Sequence, residues 1–149
     1  MKKLAQSGLI FLMLSVSACQ SAPDANAESG STAELQNTLW KLTELNGASV
    51  STAEGQRMAS LTLDSQASQA RIVTACNRGS AGFTLEGDSI KFAAAISTKM
   101  MCPPEQMQQE TAFLKVIADT VRYEIKGETL ELYNSDKQLL AAFHSEYLK

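Results

Sequence analysis

The sequence predicts a mainly β domain with one helix (α+β), a small antiparallel curled sheet or barrel of about seven or eight strands covered by that helix. Three observations carry this. Apolar and polar residues alternate in several short runs. Turn-forming residues such as Asn46-Gly47 separate the runs. One stretch after Pro103-Pro104 repeats its apolar residues at three- and four-residue steps instead.

Leu39 to Leu45 alternates and runs into Asn46-Gly47, a strand followed by a turn. Ala59, Leu61 and Leu63 line one face of a second strand, and Arg71 to Thr74 forms a third. Phe83-Thr84-Leu85 and Ile90-Lys91-Phe92 flank Glu86-Gly87-Asp88-Ser89, a hairpin pattern. Three closing strands are expected at Val121/Tyr123/Ile125, Leu130/Leu132 and Leu140/Ala142, with Gly127 and Asn134-Ser135-Asp136 between them. The helix starts at the prolines, where the first turn needs no amide donor, and Glu105 complements its dipole. Met107, Thr111, Leu114, Ile117, Ala118 and Val121 form its expected apolar stripe.

The chain has 149 residues, enough for one domain with its own core, and a net charge of −3. That acidity speaks against nucleic-acid binding, which needs a basic face. A single histidine, His144, excludes metal sites built from two or more. No cofactor or metal site is expected, and a monomer is.

Residues 1–18 have the form of an export signal: Lys2 and Lys3, then a short apolar run from Gly8 to Val16. The run is too short to span a bilayer. It ends in Val16-Ser17-Ala18-Cys19, which resembles a bacterial lipobox. That resemblance implies that the Cys19 thiol takes a diacylglycerol and that the chain is cut before it. Gln20 after the cysteine resembles the pattern sorted to the outer membrane, so the expected location is the cell envelope, lipid-anchored and facing the periplasm. The alternative, an ordinary signal cleaved before Cys19, would leave a free thiol in an oxidising compartment. Residues 19–34 contain no large apolar residue before Leu35 and are expected to form a flexible tether; the domain is expected over 35–149.

Cys76 and Cys102 remain, and a pair in an exported domain reads as a disulfide. Closing a loop of about 27 residues would restrict the unfolded chain by about 3.5 kcal/mol. A reactive cysteine is the competing reading, with Arg78 and Lys99 as nearby cations.

Cys76-Asn77-Arg78, Gly82-Phe83, Thr98-Lys99-Met100-Met101-Cys102, then Glu110 and Phe113, with Trp40 and Asn46-Gly47 upstream, resemble the META domain family, whose bacterial members include heat-shock-induced HslJ-like lipoproteins. The likeness covers Leu35 to about Phe143. Ala75, Gly79 and Ala81 depart from it, standing at a usual glycine, aromatic and glycine position. The resemblance implies a β-rich barrel-like fold with a helix in the cell envelope, and an association with stress and novobiocin resistance. The fold is also similar to that of pilot lipoproteins that escort secretin subunits.

No catalytic residue is expected. The trio His144, Ser145 and Glu146 alternates across a strand and makes no triad, and no nucleophile elbow or phosphate loop is present. Trp40 is expected to anchor the core and Glu110 to be solvated. Asn77 and Arg78 beside the bridge, and Met100, Met101 and Met107, are the candidate binding residues. The plainer expectation is a tight turn for Asn77, solvent for Arg78, and core filling beneath the helix for Met100 and Met101. The function expected is that of a non-enzymatic envelope lipoprotein contributing to stress or antibiotic tolerance through binding an envelope protein. A pilot or chaperone holding a hydrophobic peptide or acyl chain in the barrel mouth or under the helix is the alternative. A hydrolase inhibitor stands third.

Overall fold

A computed structural model describes residues 32–147 apart from Ala53. The signal, Cys19 and most of the tether lie outside the described residues. Ala33 is already buried, ahead of the expected domain start at Leu35, and donates its amide to the Gly127 carbonyl at 2.9 Å.

The strands are β1 (Leu39–Leu45), β2 (Ala48–Ser49), β3 (Ser60–Asp64), β4 (Gln69–Val73), β5 (Arg78–Glu86), β6 (Ser89–Phe92), β7 (Ile96–Ser97), β8 (Arg122–Lys126), β9 (Thr129–Tyr133) and β10 (Leu139–Glu146). The one helix of the described residues, α1 (Pro104–Asp119), falls between β7 and β8. The order β1-β3-β4-β5-β6-β8-β9-β10 closes on itself, because β10 pairs with β1 from Leu39↔Glu146 to Leu45↔Ala141. The result is an eight-stranded antiparallel barrel. Closure removes the exposed edge that an open curled sheet would keep. The two-residue strands β2 and β7, not expected from sequence, add to β1 and β5. They are too short to show alternation.

Asn46 and Gly47 both have positive φ, 50° and 80°, as the tight turn from β1 to β2 requires, so the Asn-Gly signal has a backbone cause. Inward positions on alternate residues fill the barrel axis: Trp40, Leu61, Leu63, Ile72, Ile90, Leu130, Leu132 and Phe143 are all fully buried. The Trp40 indole N–H donates to the Leu35 carbonyl at 2.9 Å, so the core anchor leaves no orphan donor.

Antiparallel connectivity assigns each connection to one rim. The β3–β4 and β8–β9 turns share a rim with the start of β1 and the end of β10, as Leu39↔Glu146 and the Ser145 amide to Glu128 carbonyl bond show. The Thr74–Asn77 loop between β4 and β5 and the β6-to-β8 connection that carries α1 lie at the other rim.

The helix turns a different face inward from the one expected. Glu110, Phe113, Val116 and Ile117 are its buried residues, whereas Met107, Thr111 and Ala118 are exposed. Of the expected stripe only Ile117 is fully buried, with Leu114 and Val121 half-buried. Phe113 packs on Phe143 of β10 with ring centroids 5.9 Å apart. A buried glutamate in the inward row hides that row from an apolar-spacing argument.

The seam between β6 and β8 is the thinnest, with one register pair, Ser89↔Arg122. Polar groups reinforce it. Arg122 Nε donates to Asp88 Oδ2 at 2.8 Å, the Tyr123 hydroxyl donates to the Gly87 carbonyl at 3.1 Å, and Ser89 Oγ donates to the Val121 carbonyl at 3.1 Å. Arg122 also pairs with Glu124 and lies 5.6 Å from the Tyr133 ring centroid. Lys126 bridges Glu131 at 2.6 Å and Glu124 at 3.3 Å.

The Arg122 hydrogen bond holds the Asp88 carboxyl below its ordinary value of 3.8, and Arg122 and then Lys126 hold Glu124 below 4.5. Lys126 and the Tyr133 hydroxyl do the same for Glu131, while Glu131 pushes the Tyr133 phenol up to about 12. A carboxyl whose folded-state pKa is depressed contributes stability that is present above its ordinary value and lost as pH falls through the folded one. The melting temperature should therefore drop as pH falls below about 4. Arg122→Gln should flatten that decline; thermal unfolding followed by circular dichroism across pH 2 to 7 checks it, allowing for partial screening at these exposed groups.

Candidate functional site

Cys76 and Cys102 are disulfide-bonded with Cα atoms 5.9 Å apart, which ties the β4–β5 loop to the entrance of α1. Beside the bridge, Asn77 is almost fully buried and is the hub of a polar cluster. Its Oδ1 accepts from the Thr98 hydroxyl at 2.7 Å and from the Met100 amide at 2.8 Å. Its Nδ2 donates to both Glu110 oxygens at 3.0 and 3.1 Å, with the Met100 carbonyl at 3.3 Å. The Asn77 amide faces Thr74 Oγ1 at 2.7 Å and Glu110 Oε2 at 3.1 Å.

Glu110 is held at the N-terminal end of the buried row on the inward helix face, not in solvent as expected. Its Oε2 also accepts from the Thr74 hydroxyl at 2.8 Å. Neutral donors surround this carboxylate, and hydrogen bonding to them offsets part of its desolvation. Asn77 does more than shape a turn: one side chain joins a loop, the extended segment before the helix, and the helix itself. Arg57, not singled out in the sequence, donates Nη1 to the Cys76 carbonyl at 2.9 Å from the opposite side.

Met100, Met101 and Met107 do not fill the core. Met100 is 50% exposed, Met101 96% and Met107 38%. The hub explains this: both backbone polar groups of Met100 are spent on Asn77, which holds the 98–102 segment along the barrel surface. With Leu114, Thr111 and Lys99 these methionines line one groove of ≈ 420 Å³, and Asn77 and Glu110 reach its wall. Four of the five candidate binding residues thus meet at one place. Arg78 is exposed and lines a separate recess with Ile96, Ser97 and Thr98.

A family model matches residues 33–147, that of the META domain. The chain belongs to the META domain family. Its META domain is similar in fold to a protein from Burkholderia xenovorans solved by NMR, with 21% identity, a TM-score of 0.61, and coverage of 76% of this chain and 85% of that one. A second protein solved by NMR is 19% identical, with a TM-score of 0.58 and coverage of 74% and 91%. No curated protein matches the chain.

The residues that depart from the family pattern have a local setting in this META domain. A Cβ on Gly79 would lie 2.7 Å from the Ile96 carbonyl oxygen. An aromatic side chain there conflicts with the observed β5–β7 pairing, Gly79↔Ser97 and Ser80↔Ile96. Ala81 is buried opposite Ala70, where small residues let β4 and β5 pack. His144 is exposed and its Nδ1 lies 3.0 Å from the Glu128 carbonyl oxygen, whereas Ser145 is buried on the other strand face. Among the described residues no group of three or more His, Cys, Asp or Glu is placed to hold a metal ion.

Thr74, Arg57, Thr111 and Leu114 are site residues that sequence reasoning does not find. A hydroxyl three residues before Asn77 was the available signal for Thr74. The apolar spacing places Thr111 and Leu114 in the stripe beneath the helix.

Asn77→Ala should destabilise the domain by about 3 kcal/mol, because it leaves a buried carboxylate and the Thr98 and Met100 donors short of partners. Urea unfolding measures it. Gly79→Ala should cost about 1–3 kcal/mol through the backbone contact at Ile96, with loss of amide protection confined first to β7, read by hydrogen exchange.

Proposed function

We propose that this META domain protein is a non-enzymatic lipoprotein of the bacterial cell envelope. It is anchored through a lipidated Cys19 to the outer membrane, facing the periplasm, and contributes to envelope-stress or novobiocin-type tolerance by binding. The binding face is the methionine groove, and the ligand is an apolar peptide segment of an envelope partner. One observation carries the reading: three exposed methionines and Leu114 surround a single groove on a scaffold fixed by a disulfide and a satisfied polar hub. Methionine is unbranched and polarizable, so such a surface adapts to varied apolar side chains. Contiguous exposed apolar surface on a folded domain is the usual mark of an interaction site.

A pilot-like or chaperone-like role for a hydrophobic segment fits the same groove. The version that holds a ligand inside the barrel or under the helix does not fit, because Trp40, Leu132 and Phe143 fill the axis and Phe113 seals the helix against it. Glu110 reaches the groove wall beside Lys99, and its place is explained by the fold: it is held by Thr74 and Asn77.

Deleting the gene should sensitise cells to novobiocin and detergents, and the unaltered gene should restore tolerance. Met101→Asp should fold normally, since the side chain is almost fully exposed, yet fail to restore tolerance. Cys19→Ala should release the protein from the membrane fraction. Full complementation by Met101→Asp would overturn the groove as the binding face, and an unaffected deletion strain would overturn the tolerance role.

A further inference from the structure

Of the methionines among the described residues, Met58 is half-buried, and the other three are exposed and line one groove. Thioether sulfur is the most readily oxidised group on such a surface once the cysteines are tied in a disulfide. We propose that Met100, Met101 and Met107 form an oxidation site, where a peroxide converts the groove from apolar to polar while the barrel stays folded.

The chemistry balances without a further reactant. A sulfur lone pair attacks one peroxide oxygen, an S–O bond forms and the O–O bond breaks. The thioether loses two electrons to become a sulfoxide, and hydrogen peroxide is reduced to water. Access orders the sites. Met101 reacts first, Met100 and Met107 follow, and Met58 is slowest.

The same geometry confines the damage. Sulfoxide formation inside a core disrupts packing, but the hydrogen bonds that hold Met100 in place are made by its backbone to Asn77. Met101 is a neighbour of Cys102, whose bridge to Cys76 fixes the segment from the other side. The side chains are thus free to change polarity on a backbone that does not depend on them. That this change switches binding rests on the groove being the binding face, as proposed above.

The test uses the full-length protein in detergent, treated with graded hydrogen peroxide. Each sample is read three ways: peptide mass mapping for added oxygen, thermal unfolding, and fluorescence of the hydrophobic dye anilinonaphthalene sulfonate. Oxygen should appear at Met101 several-fold faster than at Met58, dye fluorescence should fall in step, and the melting temperature should stay unchanged. A Met100→Leu/Met101→Leu/Met107→Leu variant should keep its dye signal through the same treatment. Oxidation of Met58 at a rate equal to Met101 would overturn the proposal, as would unfolding in step with oxidation at the groove. Untreated protein that takes up no dye would defeat the binding reading instead, and the mass map and melting curve would still decide whether the oxidation site exists.

Discussion

The carboxamide of Asn77 is the constraint on which the arrangement of this domain depends. From its place in the β4–β5 loop its side chain bonds the Thr98–Cys102 segment and α1 at once, using both its acceptor lone pairs and both its donors. The desolvation cost of burying Glu110 is accepted because the carboxylate closes this circuit. A hydrophobic residue at 110 would remove the acceptor for one Asn77 Nδ2 donor and leave Thr74 Oγ1 only the Asn77 carbonyl to donate to. Asparagine suits the hub because it carries donor and acceptor on one short planar group. An aspartate would lack the donors and set a second negative charge against Glu110.

The barrel and the hub hold the same inward face of the helix by different means. Phe113, Val116 and Ile117 attach α1 through apolar area, which is strong and undirected, while Glu110 supplies direction and fixes which residues face out. At the far end of α1 the Thr120 hydroxyl donates to the Val116 carbonyl at 2.7 Å and the chain turns at once into β8. There the thin β6–β8 seam is held by Arg122 and Asp88. The helix thus links two places that pairing alone leaves weak: the loop end of β4–β5 and the seam.

Much of the fold was legible because its cause is local. Alternation in Leu39–Leu45 and the Asn46-Gly47 turn are decided within a few residues, and so is the proline start of the helix. Closure into a barrel was only bracketed, since the β1–β10 pairing joins segments about a hundred residues apart and no periodicity reports it. The site was partly legible. The Cys-Asn-Arg and Thr-Lys-Met-Met-Cys runs mark its residues, yet their environments are the reverse of those the residue types suggest: Glu110 is inside and Met100 and Met101 are outside. Both inversions have one origin. A residue's average preference predicts its burial only when no neighbour supplies a specific partner, and Asn77, distant in sequence from each, supplies one.

The rim assignment has a further consequence for how this molecule would sit at a surface. Ala33 enters beside the β8–β9 turn, whereas α1 and the methionines belong to the opposite pole. A chain held by its leading end would point its soft sulfur-lined pole away from the support.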